Sequence, residues 1–511
     1  MRQILIIFIL VFLGLITTAQ ELTILYTNDI HGHFEALKTT WISDTRLVGG
    51  MANITTMVKN EKKKNKHTLY LDAGDYFTGP YMSTLTKGAA IIDIMNSMQI
   101  DATTIGNHEF DHGWKNMLTQ LKKAKFPILN GNIFYKGTEK LLWNNPYMIL
   151  ERIGIRIGII GLHGKFAFYD TIADEMIQGV EAKDEELYLK KYVAELKDKT
   201  DIIILLVHQG IPGRQSSTGS EDVARNLQKD IDLASKIEGL DIIITGHAHQ
   251  GTPEPIIANG VIIVSTNAYS KELGKLTFSY DKNKDKITKY TNSLDIVYDD
   301  VYIDDPKTLK KINKWKKRVS KISNQVLCKI PIPLTRSYGE ESYLGNMVCD
   351  AMLSGQPDLD FVISNSGALR QDIDAGAVTI GDLISAFPFS NSLEIIEMKG
   401  SDIKTLFEHG AGLTNGILQV SKGVAMKYDE SKPLKSRVTM LNIKGVPLDD
   451  DKIYKFGTSN FLADGGDGFV FKNAISKKNT GIQIIQLMVD YMKSFEVYTP
   501  IMEGRVVNVN K

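Results

Sequence analysis

The sequence predicts an α/β domain followed by a smaller α+β domain, and three observations predict it. Short apolar, β-branched runs alternate with segments of helical spacing from residue 22 to about 301. From Cys328 onward the pattern changes to mixed strands and helices broken by glycine-bearing turns. The length, 511 residues, exceeds what one hydrophobic core ordinarily organises.

Taken in order, Met1-Arg2-Gln3 precedes an apolar run from Ile4 to Ile16 and the small residues Thr17, Thr18 and Ala19, the layout of a secretory signal. The run is shorter than the roughly 20 residues a spanning helix needs, so cleavage near Ala19 is expected rather than a retained anchor. Either outcome exports the remainder, to the periplasm or the medium. Apolar runs at 22–27, 68–72, 102–105, 156–162, 201–207, 241–245 and 261–265 read as buried strands, and 51–66, 89–98, 114–124 and 184–199 as helices. These give a first domain over 20–303. Asp305-Pro306 then opens a lysine-rich helix over 304–326, with Leu309, Ile312, Trp315, Val319 and Ile322 at three- and four-residue spacing. It is expected as a solvated connector to a second domain over 327–511; a surface helix of the first domain is the alternative.

Composition excludes some classes. With 60 basic and 60 acidic residues the net charge is +0, so no global field points to a nucleic-acid polymer or an anionic membrane. Cys328 and Cys349 are the only cysteines, which rules out a disulfide framework and a cysteine zinc site; they could form one bridge or sit as two buried apolar side chains.

Polar residues cluster where the first-domain strands end, the position at which α/β sheets build their sites. One strand delivers Asp29 and His31, another Asp72-Ala73-Gly74-Asp75, a third Gly106-Asn107-His108-Glu109, a fourth His208, and a fifth Gly246-His247-x-His249. Singly these are weak: an Asp-x-His is usually a capped turn. Together, carboxylates and imidazoles converging at strand ends are costly unless cations pair them. Mixed Asp, Asn and His donors suit Zn, Mn, Fe or Co better than Ca or Mg. Asp72 is expected to fix the turn that aims Asp75, and Glu109 is left out of the ligand set.

These five blocks, in this order, resemble the calcineurin-like metallophosphatase family, and within it the 5′-nucleotidase branch. The resemblance implies a layered α/β/β/α first domain. It also implies that Asp29, His31 and His249 bind one metal, that Asn107, His208 and His247 bind a second, and that Asp75 bridges them. It makes His108 catalytic, paired with Asp111. Two ions about 3.5–4 Å apart acidify a water and polarise phosphoryl oxygens, which is the chemistry of phosphoester hydrolysis.

The second domain has to name the substrate. Asn365 and Arg370 offer groups suited to phosphate, Phe389 an aromatic face, and Phe461 another beside the Asp464-Gly465-Gly466-Asp467-Gly468 turn. From the residues alone, Phe389 and Phe461 read as core and the glycine run as a turn. The resemblance implies instead that the two rings stack on a base, that Asp467 holds the ribose, and that Asn365 and Arg370 contact phosphate. Some family members carry a phosphate-binding Arg immediately before the Glu of the block 341–346; here Glu340 stands there, and the nearest arginine is Arg336. Either Arg336 substitutes or preference shifts between monophosphates and larger phosphoesters. The expected function is an exported dinuclear hydrolase of nucleoside 5′-monophosphates, extending to UDP-sugars or 2′,3′-cyclic nucleotides. The alternatives are a thiosulfohydrolase on the same frame and a surface nucleotide-binding protein that has lost its chemistry.

Overall fold

The computed structural model describes residues 20–510 apart from 212–213, 216–220 and 224–225. The export segment expected over residues 1–19 lies outside them.

The first domain is built on two six-stranded sheets. In one, the order is Lys286–Ile296, Glu272–Asp281, Gln20–Thr27, Leu69–Asp72, Ala102–Thr104 and Ile128–Leu129; in the other it is Ile256–Ala258, Val261–Val264, Ile242–His247, Ile202–Gln209, Ile155–His163 and Tyr147–Arg152. Strand Ile202–Gln209 shows why these runs are apolar throughout. Ile202, Ile204 and Leu206 join Leu22, Ile24, Ile157 and Ile244 in a core between the sheets, whereas Ile203, Leu205 and Val207 pack with Leu189, Val193 and Leu196 of helix Glu185–Leu196. The first sheet is covered on its outer face in the same way: Leu25 and Tyr70 pack with Ile54 and Val58 of helix Met51–Lys64 and Ile91 and Ile94 of helix Ala89–Met95. With both faces of each sheet buried, the domain is the four-layer α/β/β/α arrangement. Each fully buried Ile or Leu adds about 1.5–3 kcal/mol.

Helix Pro306–Ser323 begins where Asp305 accepts the Thr308 amide at 3.0 Å, with proline in the first turn. Expected as a solvated connector, it is solvated on one side only. Its Ile312 and Val319 lie in the first-domain core, and the Trp315 indole donates to Asp93 at 3.0 Å.

The second domain carries a five-stranded sheet ordered Leu418–Val420, Phe361–Asn365, Ile453–Ser459, Ser392–Lys399, Ser476–Gln483, and a four-stranded sheet ordered Val446–Pro447, Val438–Ile443, Val424–Tyr428, Val506–Asn508. Helices Tyr343–Ser354 and Ile484–Lys493 bury one apolar cluster that contains Cys328 and Cys349, both free thiols. The domains meet directly. The Tyr81 amide donates to Ser385 Oγ at 3.0 Å, and Asn460 Nδ2 donates to Glu175 Oε1 at 3.0 Å.

Candidate functional site

Parallel pairing aligns the strand ends that carry the polar residues. Thr27 lies opposite Asp72, Asp72 opposite Thr103, and Gln209 opposite His247, so the loops after each strand emerge at one edge of the sandwich. Those loops are bent sharply. Asp29 (φ 52°), His31 (φ 46°), Asp75 (φ 59°), His247 (φ 74°) and His249 (φ 54°) all adopt left-handed backbone, which for non-glycine residues costs on the order of 1–3 kcal/mol each. Surrounding groups hold them there. Glu109, fully buried, accepts the amides of Asp75, Tyr76, Phe77 and Gly106 at 2.6–3.0 Å. Asp72 accepts Thr27 Oγ1, Thr103 Oγ1 and the Gly74 amide, so it braces the turn before Asp75. Gly106 is required by this packing, since a Cβ there would lie 2.2 Å from Asp75 Oδ1.

The donor atoms converge in buried clusters. Asp29, His31 and His249 each bring a ligand atom within 4.8 Å of the others, and so do Asp75, His208 and His247. Asp75 also clusters with His31 and His108, which places it between the two sets. Hydrogen bonds decide which imidazole nitrogens are free. His31 Nδ1 donates to the Thr78 carbonyl at 3.2 Å and His208 Nδ1 to the Ala73 carbonyl at 2.8 Å, so Nε2 of each is left for the cluster.

Those Nε2 atoms then face other acceptors. His31 Nε2 lies 3.1 Å from His249 Nε2, 3.7 Å from Asp29 Oδ1 and 3.8 Å from Asp75 Oδ2. A single proton on His249 could bridge only one of these approaches. His208 Nε2 lies 3.0 Å from Asp75 Oδ2 and 3.1 Å from Asn107 Oδ1. His247 Nδ1 is 2.9 Å from that same Asn107 oxygen, while its Nε2 and Asn107 Nδ2 are buried without partners.

Burial keeps His31 and His247 neutral, their pKa values held well below the ordinary imidazole range. Burial also opposes charge on His208, but the adjacent Asp75 carboxylate outweighs it and lifts the pKa to about 10. Four buried imidazoles, two carboxylates and the Asn107 amide oxygen converge, with His247 Nε2 buried without a partner, so the donor set fits a pair of divalent metal ions, which would stand in place of the His208 proton.

A cleft between the domains opens onto this centre. Asp75, Asn107, His108, His247 and His249 form its floor and Arg370, Phe389, Phe461 and Asp467 its far wall. His108 Nδ1 donates to Asp111 Oδ2 at 2.7 Å, and Arg370 Nη2 reaches His108 Nε2 at 3.3 Å. Arg370 also lies over the Phe389 ring at 5.1 Å. Gly466 packs flat under Phe461, where a Cβ would lie 2.4 Å from the ring. Asp467, at φ 54°, accepts Asn365 Nδ2 at 2.7 Å and Asn415 Nδ2 at 2.9 Å. Asn365, expected against phosphate, thus directs its amide N–H to Asp467, and its Oδ1 is buried without a partner, as is Arg370 Nε.

Arg336 is not part of this cleft. It pairs with Asp372 at 2.7 Å and lines a separate cavity of about 330 Å³ with His33, Trp41, Tyr269 and Lys271. The two cavities share His249 and Arg370, so the candidate centre lies between them. Sequence reasoning missed Asn415, a lone Asn in a loop with no spacing to mark it. It also missed Thr171, Ala173 and Met176, which roof the cleft from the first domain.

Comparison with known proteins adds a different kind of support. Residues 22–251 match the calcineurin-like phosphoesterase family and residues 320–473 the 5′-nucleotidase C-terminal domain. The chain is 30% identical to human 5′-nucleotidase over 540 residues, covering 96% of this chain and 91% of that one. A 5′-nucleotidase precursor from Thermus thermophilus superposes with a TM-score of 0.84 at 27% identity, covering 96% of this chain and all of the other. The Thermus thermophilus sulfate thiohydrolase SoxB shares the fold, with a TM-score of 0.77 at 18% identity over 96% and 97% of the two chains. Both family matches fall in order on the two domains that meet at the cleft, and the likeness to human 5′-nucleotidase runs through nearly the whole of each chain. The chain belongs to the 5′-nucleotidase family of calcineurin-like phosphoesterases.

Proposed function

We propose that the protein hydrolyses nucleoside 5′-monophosphates to nucleoside and phosphate. One observation carries this reading: two aromatic rings, an arginine and a carboxylate line the same cleft as His108 and four of the candidate metal ligands. Asp29, His31 and His249 would hold one divalent ion, Asn107, His208 and His247 another, and Asp75 would bridge; Zn, Mn, Co and Fe all suit this donor set. When bound, such a pair neutralises phosphoryl charge and acidifies water. The remaining work falls to the chain. Asp111 fixes the His108 tautomer so that Nε2 faces the cleft, where it can exchange a proton or hydrogen-bond with the reacting phosphate. Arg370 brings a guanidinium to the same place. Phe389 and Phe461 would hold the base, with Asp467, held by Asn365 and Asn415, accepting the ribose hydroxyls.

The second cavity supports a wider range. It leaves room beside the centre for a further substituent on the phosphoryl group, as in UDP-sugars, and 2′,3′-cyclic nucleotides present the same nucleoside to the cleft. Export to the periplasm or medium rests on the pattern of residues 1–19. The aromatic pair and Asp467 disfavour a thiosulfohydrolase, and the complete donor set disfavours a protein that has lost its chemistry.

The test is a panel of AMP, UMP, UDP-glucose, ATP and cyclic nucleotides on metal-free protein refilled with Zn, Mn or Co. Phosphate release from AMP and UMP is expected after refilling and not before. Failure with every monophosphate and every metal removes the proposal. Replacing both Phe389 and Phe461 by Ala is expected to raise KM for AMP about tenfold or more, at about 1–3 kcal/mol of stacking per ring, and to leave KM for a small alkyl phosphate nearly unchanged. Equal increases for the two substrates would show that the rings do not hold the base.

A further inference from the structure

The lysines of helix Pro306–Ser323 are not scattered. Lys307, Lys310, Lys314, Lys317 and Lys321 recur at alternating three- and four-residue intervals, the spacing that aligns side chains along one face, and all five are exposed. The stripe runs about 21 Å at 1.5 Å per residue. The face behind it is fixed, because Thr308, Ile312 and Val319 are buried against the first domain. The helix contains no acidic residue. Lys311 and Lys316, on its flanks, are paired with Asp93 and Glu35, whereas among the described residues no carboxylate lies within ion-pair distance of the five stripe lysines. Helix Met51–Lys64 packs alongside and ends in the exposed Lys63 and Lys64, with exposed Lys66 just beyond. The net charge of +0 for the whole chain conceals this local excess. Like charges one turn apart weaken a helix, so the stripe opposes the fold that displays it.

We infer that this face docks the protein on an anionic lipid surface by electrostatic attraction without insertion. Clusters of four to eight basic residues on an amphipathic helix attract anionic headgroups. The stripe stands on the outside of the helical layer, not in a groove, which suits a planar partner. It offers no stacking platform for single-stranded nucleic acid: Trp315 is half-buried, with its indole N–H on Asp93 and Arg318 over its ring at 4.5 Å. All five members are Lys, compact hydrated charges suited to a diffuse field, not to bidentate phosphate recognition. No described helix is long and apolar enough to cross a membrane, so the contact would be peripheral.

The test is flotation of the full chain with vesicles of phosphatidylcholine alone and of phosphatidylcholine with phosphatidylglycerol, at low and high salt. The parent is expected to gain binding when phosphatidylglycerol is added and to lose that gain at high salt. A Lys310→Glu/Lys314→Glu/Lys317→Glu variant should lose the gain by about tenfold or more, and the matching triple Gln variant should fall between. Tm and AMP hydrolysis, measured on both variants, should match the parent. No gain on adding phosphatidylglycerol, a gain that survives in both variants, or retention of the parent on single-stranded DNA without any gain on vesicles would overturn the inference.

Discussion

A His108→Ala protein is expected to retain its metal and to lose about 10²–10⁴-fold in kcat on AMP, the range for removal of a positioned proton-transfer group. His108 clusters with Asp75 and His31 but belongs to neither of the two candidate ligand sets. Its Nε2 is 4.0 Å from Asp75 Oδ2, and its ring is committed by the 2.7 Å bond from Nδ1 to Asp111. Its backbone, by contrast, is tied to the centre, since the amide donates to Asp75 Oδ1 at 2.8 Å, and alanine keeps that bond. Asp111→Asn is expected to fall in the same direction, because the Asn amide can present an N–H where the imidazole N–H now donates, which favours the wrong tautomer. Metal analysis of the purified variants alongside kcat and KM decides the matter. If His108→Ala matched the parent on AMP, or lost metal as well as rate, its role as a proton-transfer group would be gone.

Much of the first domain was legible because its physics is local. Strands buried on both faces must be apolar throughout, so Ile202 to Val207 and Ile242 to Ile244 announce themselves, and polar residues that follow such a run stand at the sheet edge. What closed the cleft was not local. Thr171, Ala173 and Met176 become walls only because one domain lies against the other, and no periodicity in 165–177 reports that. Arg336 illustrates a different limit. Four residues from Glu340 in sequence, it was a reasonable substitute for a missing arginine, yet loop spacing does not fix side-chain direction, and Asp372 holds it at the second cavity. The spacing of Asn365 gave no sign of Asp467, the carboxylate 102 residues away that accepts one of its amide hydrogens at the cleft wall. The basic helix was legible in its extent and its apolar stripe, but whether that stripe faced a domain depended on Ile312 and Val319 finding the core of the first.

Asp75→Ala is expected to abolish both metal retention and turnover. Asp75 falls in one candidate cluster with His31 and in another with His208, and it is the nearer carboxylate to His208, at 3.0 Å against 3.9 Å for Asp29, so its removal leaves each candidate ion short of an anionic ligand at once. It also strips His208, fully buried, of the carboxylate 3.0 Å away that holds its pKa near 10. The apo variant then no longer holds the His208 proton by that carboxylate, and its release leaves the lone pairs of His208 Nε2 and Asn107 Oδ1 opposed at 3.1 Å. The measurement that distinguishes lost ligation from general misfolding is the metal-dependence of Tm. Ligand at about a hundredfold excess over its Kd stabilises the folded state by about 2.7 kcal/mol, several degrees for a domain of this size. The parent stripped of metal should regain that shift when Zn, Mn or Co is restored, whereas Asp75→Ala should melt cooperatively at a temperature indifferent to added metal. A variant that recovers the full shift would show that the two clusters hold their ions independently of Asp75, and the bridged arrangement would have to be abandoned for two separate sites.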